Sequence, residues 1–120
     1  MTKTLMIVDD VAVIRMMLKK ILQSSGYRVV AEAGDGAEAI QRYMEFKPDL
    51  VTMDLTMPDK DGIETMQEIL RFDHNAKIVM VSAVDQQDSL VRAIKSGAVD
   101  YIIKPFEADR VISAVQKAIG

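Results

Sequence analysis

Five side chains suited to phosphoryl chemistry each follow a short apolar run of the sequence. Asp9 and Asp10 follow residues 5–8, Asp54 follows 50–53, Ser82 follows 78–81 and Lys104 follows 101–103. Three carboxylates packed together repel, and at least one is pushed toward its protonated form unless a positive charge lies among them. A hard divalent cation supplies that charge, and a few carboxylates with waters and a backbone carbonyl suit Mg²⁺ better than Ca²⁺. A carboxylate facing such a cation attacks phosphorus as a nucleophile and becomes an aspartyl phosphate. Lys104 then neutralises a phosphoryl oxygen as a point charge, and Ser82 donates a hydrogen bond to another. Asp10 taken alone is equally well read as a helix cap. The sequence has no G-x-x-x-x-G-K-[ST] segment, so a P-loop nucleotide is not the expected phosphoryl donor.

The elements that must position these groups are legible from periodicity. The runs at 5–8, 28–33, 50–53, 78–81 and 101–103 are rich in β-branched residues and do not alternate strictly, which predicts strands buried on both faces. Five stretches with helical spacing lie between and after them. The first stripes Ile14, Leu18, Ile21 and Leu22 and stops at Gly26; the second follows Gly36, stripes Ile40, Tyr43 and Met44 and closes before Pro48. The third starts near Gly62 with Ile63, Met66, Ile69 and Leu70. The fourth covers about 86–96 with Leu90, Val91 and Ile94, and the last runs from Glu107 with Val111, Val115 and Ala118 beside Ile112 and Ile119. The expectation is a single α/β domain over residues 1–120, a (βα)5 chain with a parallel five-stranded sheet and helices on both faces. In such sheets the functional site lies beyond the carboxyl ends of the strands, where the five groups stand.

Composition narrows the function classes. The chain has 120 residues, 49% hydrophobic and 28% charged, as in globular proteins and unlike disordered ones. Fifteen basic and 18 acidic residues give a net charge of -3, so a general nucleic-acid footprint is not expected. There is no cysteine, which excludes disulfides, thiolate catalysis and Fe–S clusters, and the lone His74 builds no histidine-rich metal site. The N-terminal stretch does not read as a signal or transit peptide, and no apolar run approaches the roughly 20 residues of a membrane span. A cytoplasmic location without membrane insertion is expected, with no linker, repeat or attached effector domain.

Taken in order, Leu5-Met6-Ile7-Val8-Asp9-Asp10, Asp54-Leu55-Thr56-Met57-Pro58 with Asp61-Gly62, Val81-Ser82-Ala83 and Lys104-Pro105-Phe106 resemble the receiver domain of two-component response regulators, of the stand-alone chemotaxis type. The resemblance covers essentially the whole chain and implies a flavodoxin-like fold with strand order 2-1-3-4-5. It implies Asp54 as the phosphoacceptor, and Asp9, Asp10, Asp54 and the Thr56 backbone carbonyl as Mg²⁺ ligands. Lys104 is the lysine that contacts the phosphoryl group, Ser82 the switch hydroxyl and Tyr101 the switch aromatic, and the Lys104–Pro105 bond is expected to be cis. Thr56 and Val84 match the positions that tune dephosphorylation, and apolar Val84 implies slow self-hydrolysis. Leu90, Lys95, Ala98 and Val99, with Tyr101, are the implied partner surface.

The implied function is a phosphorylation-activated chemotaxis switch that takes its phosphoryl group from a histidine kinase and then binds the flagellar motor switch, with a phosphatase as a further partner. The alternative is a phosphorelay intermediate that passes the group to a histidine phosphotransfer protein. An FMN binder is disfavoured, because no Ser/Thr/Gly-rich loop follows the first run and no tryptophan is present. Aspartate-based phosphohydrolases carry a second acid where Thr56 stands. Plainer readings cover the rest: most methionines as core filler, His74 as solvent-exposed, and Asp59, Lys60 and Asp61 as a solvated turn.

Overall fold

The computed structural model describes residues 2–120. Five strands alternate with five helices: β1 Thr4–Val8, α1 Ala12–Ser24, β2 Arg28–Ala33, α2 Gly36–Phe46, β3 Leu50–Asp54, α3 Gly62–Phe72, β4 Ile78–Ala83, α4 Gln87–Lys95, β5 Asp100–Lys104 and α5 Ala108–Ile119. The strands form one sheet of order β2-β1-β3-β4-β5, and every neighbouring pair is parallel. Fold class and strand order thus agree with the sequence reading and the resemblance. Among the described residues no helix is long and apolar enough to cross a membrane.

The continuous apolar runs divide by side. Leu5, Ile7, Leu50, Val79, Val81 and Ile102 pack with Leu18 and Leu22 of α1 and Val111, Ala114 and Val115 of α5. Met6, Val8, Val51, Met53, Ile78 and Met80 pack on the opposite face against α2, α3 and α4. A strand covered on both faces has no solvent side to mark with polar residues, which is why the runs do not alternate. Met6, Met53, Met57, Met66 and Met80 are buried as filler, whereas Met16 and Met17 lie exposed on α1 at 67% and 47%. Thr52 Oγ1 is the one buried side-chain polar atom without a hydrogen-bond partner among the described residues.

Several strands outlast their apolar runs. Asp54 pairs with Val81, Ser82 with Ile103 and Ala83 with Lys104, so these polar residues close the strands instead of following them. The ladder continues because backbone pairing needs no apolar side chain. α1 gives way to Gly26 at φ +91°, and α2 ends on Lys47 at φ +43°, whose N–H donates to the Tyr43 carbonyl.

The turn at Asp59, Lys60 and Asp61 is solvent-accessible as expected, with Asp59 exposed, and it also forms a structural clasp. Asp59 accepts from the N–H groups of Gly36 and Ala37 at 2.8 and 2.9 Å, capping α2 from outside its own chain segment. Lys60 pairs with Glu68 at 3.0 Å, and Asp61 caps α3 by accepting from Glu64 N–H at 2.8 Å. Free N–H groups and the positive end of a helix draw carboxylates to such places. The Gly36 N–H is the main cause that lowers the Asp59 carboxyl from 3.8 to about 2.

Candidate acceptor site at the carboxyl edge of the sheet

β1, β3 and β5 deliver Asp9, Asp10, Asp54 and Lys104 to one place. Carboxylate oxygens of Asp9, Asp10 and Asp54 lie within 4.8 Å of one another. Asp9 is fully buried, Asp54 is 6% exposed and Asp10 faces solvent. Lys104 Nζ reaches Asp9 at 2.9 Å and Asp54 at 3.5 Å, and its peptide bond to Pro105 is cis. Asp9 also accepts from the Val11 N–H at 2.9 Å, and its carbonyl accepts from Arg15, which fixes the start of α1 against the site.

Burial raises the Asp54 carboxyl from 3.8 to about 6, the Asp9 charge adds to the rise, and Lys104 opposes it. Burial alone would lower the Lys104 ammonium, but its hydrogen bond to Asp9 and the charges of Asp54 and Asp9 hold it above its ordinary value. A carboxylate cluster that one ammonium only partly neutralises is a hard-oxygen donor set for a small divalent cation. The residues therefore fit Mg²⁺.

Ser82 is buried at 1% exposure, next to Ala83 at the end of β4, and its hydroxyl has only a long 3.4 Å contact to the Ala83 carbonyl. Thr56 N–H lies 3.5 Å from Asp54 Oδ1. Val84 points into solvent at 62% exposure. Gln86, which sequence reasoning passed over, bridges the loops that border Asp54: Ala83 N–H donates to its Oε1 at 3.1 Å, and its Nε2 donates to Thr56 Oγ1 at 2.7 Å. Its position just after the fourth strand was the available signal, since every residue there lies at the functional edge.

Tyr101 lies on edge strand β5 with 41% exposure, and Arg110 holds it there. The Arg110 guanidinium sits 5.7 Å from the ring centroid and donates to the Tyr101 carbonyl at 2.6 Å. Beside it runs a groove of about 470 Å³ lined by Gln87, Leu90, Val91, Ile94, Lys95, Tyr101 and Ile103. Of the residues expected at the partner surface, Leu90, Lys95 and Tyr101 line this groove. Leu90 is 5% exposed and forms the groove floor, while Ala98 is buried at 8% and does not line it. Both lie on the side of their segment that packs onto the sheet, so Val91 and Ile94, exposed at 54% and 42%, supply the apolar surface instead. Val99 is exposed at 47% but outside the groove. His74 is exposed, in the loop before β4.

A parallel (βα)5 sheet with an acidic cluster, a lysine and a hydroxyl at its carboxyl edge defines a class: the chain belongs to the response regulator receiver domain family, whose model matches residues 5–116. It is a phosphorylation-activated switch of the two-component type, homologous to chemotaxis response regulators. It is 51% identical to chemotaxis protein CheY of Bacillus subtilis over 100% of both chains, and 51% identical to CheY of Thermotoga maritima over 98% of both. Among solved structures it is similar to the CheX–CheY–BeF3–Mg²⁺ complex of Borrelia burgdorferi, with a TM-score of 0.93 and 32% identity over 98% of this chain and 90% of that one.

Proposed function

We propose that Asp54 is the phosphoryl acceptor of a chemotaxis switch and that the chain works as one receiver unit in the cytoplasm. The observation that carries this is the Asp9, Asp10 and Asp54 cluster with Lys104 against two of its members. An Asp54 carboxyl near 6 is mostly ionised at neutral pH and is therefore available as a nucleophile. Its oxygen bonds to phosphorus as the bond from phosphorus to the kinase histidine breaks, and the released imidazole takes a proton from solvent. Asp9, Asp10 and Asp54, with the Thr56 backbone carbonyl, would hold Mg²⁺, which would offset the repulsion between the carboxylates and the incoming phosphoryl oxygens. Lys104 turns from carboxylate to phosphoryl oxygen as a point charge.

Ser82, weakly held in this structure, rotates its hydroxyl to the phosphoryl group, and Tyr101 turns inward beside it. The groove between α4 and β5 then takes a segment of the flagellar motor switch protein, apolar side chains on Val91 and Ile94 and a polar rim at Lys95. Incubation with acetyl phosphate and Mg²⁺ tests the acceptor. Mass spectrometry after reductive trapping should place one adduct on Asp54, and Asp54→Asn should fold but take none; an adduct on Ser82 would mean a different reaction. Binding of the motor protein by the phosphorylated chain supports the switch, whereas transfer of its phosphoryl group to a histidine phosphotransfer protein would mean a relay.

A further inference from the structure

The carboxamide of Gln86 has both ends committed. Ala83 N–H can only donate, so Oε1 must face it, and Nε2 is left to donate to Thr56 Oγ1. One anchor is the residue after Ser82, and the other is two residues beyond Asp54 with its N–H toward the Asp54 carboxylate. The bridge therefore ties the loop after β3, whose exposed Thr56 faces its N–H to the Asp54 carboxylate, to the loop after β4. Val84, the other side chain at this mouth, turns outward and closes nothing.

We infer that Gln86 is a positioning residue that latches Thr56 over Asp54 and thereby sets how long the aspartyl phosphate survives; this rests on Asp54 being the acceptor. In hydrolysis a water oxygen bonds to phosphorus, the bond from phosphorus to the Asp54 oxygen breaks, and inorganic phosphate leaves with the water proton passing to phosphate or solvent. Asp54 returns as a carboxylate. The attacking water must arrive opposite the breaking bond, past the loops that the bridge ties together. The latch also fixes the rotamer of the Thr56 hydroxyl, which when released turns freely and can bring its O–H or a lone pair to that water. Opening it therefore acts in one direction, toward faster loss.

The test follows adduct decay by intact-protein mass spectrometry, in Mg²⁺, after acetyl phosphate is removed from the full chain. Gln86→Ala and the similarly long, apolar Gln86→Met should both shorten the lifetime, by about two- to tenfold, the factor that one net hydrogen bond converts to. Thr56→Val keeps the shape and removes the anchor, so adding Gln86→Ala to it should change decay no further. Unchanged or slower decay in both Gln86 variants would overturn the latch, as would fully additive effects in the double variant. Failure of the native chain to take an adduct on Asp54 would overturn the acceptor reading instead.

Discussion

Asp54 ionises in a place that resists its charge. Its carboxyl titrates near 6 in the folded chain against 3.8 for an ordinary aspartate, first through burial and then through Asp9. A raised carboxyl means that the folded state binds more protons than the unfolded state between these values, so stability falls as pH rises from about 4 to about 6 and levels off above. In Mg²⁺-free buffer, Asp54→Asn should therefore melt higher than the native chain above pH 6, with the gap closing toward pH 4. Thermal melts across pH check this, and a gap independent of pH would contradict it. Lys104 keeps its closer partner, Asp9, in the variant. Asp9, Asp10, Asp54 and Lys104 were legible in the sequence because strand ends are visible and parallel sheets gather them. Gln86 was not, because its role depends on a side chain reaching between two loops, which spacing along one loop does not encode.

The helices were legible to within a residue or two, since each buries one stripe on a sheet covered on both sides. What spacing could not show was how their ends are held. The Asp59 clasp on α2 joins segments 22 and 23 residues apart in sequence, and it makes the acceptor loop part of the α2 cap. Gly62 is needed for a related reason: a Cβ there would overlap the Asp54 carbonyl and lie 2.9 Å from the Leu55 Cα, so α3 could not start so close under the acceptor. α2 stops on a left-handed Lys47, a conformation that a side chain disfavours and glycine adopts freely. Relief of the left-handed conformation, roughly 1–2 kcal/mol for an L-residue, outweighs the extra chain entropy glycine loses, roughly 0.5–1 kcal/mol, so Lys47→Gly should raise the denaturant midpoint at unchanged slope; a lower midpoint would show that the Lys47 side chain contributes more than its backbone costs.

The molecule as a whole places the carboxylate cluster at one edge of the sheet and the groove beside Tyr101 along a neighbouring side, linked by the paired strands β4 and β5. Met80 pairs with Tyr101 and Ser82 with Ile103, so a movement at the end of β4 is felt directly by the strand that carries the aromatic. A phosphoryl group shifts this pair only by its differential affinity for two arrangements, a coupling worth about 1–3 kcal/mol in typical switches. Ser82→Ala should still take up the adduct but lose most of the phosphorylation-dependent gain in affinity for its target. Isothermal titration of both forms checks it, and a full gain in the variant would remove Ser82 from the switch. The edge opposite the acceptor has a different character. There the Arg28 N–H donates to the Lys3 carbonyl and the Tyr27 hydroxyl to the Gly120 carbonyl, so the start of β2 ties the approach to β1 to the end of α5. The loop that carries exposed His74 belongs to this remote side and makes none of the contacts of Asp9, Asp54, Gln86 or Lys104, so a second protein inserted there would leave the chemistry untouched and give the switch a handle for tethering to a surface.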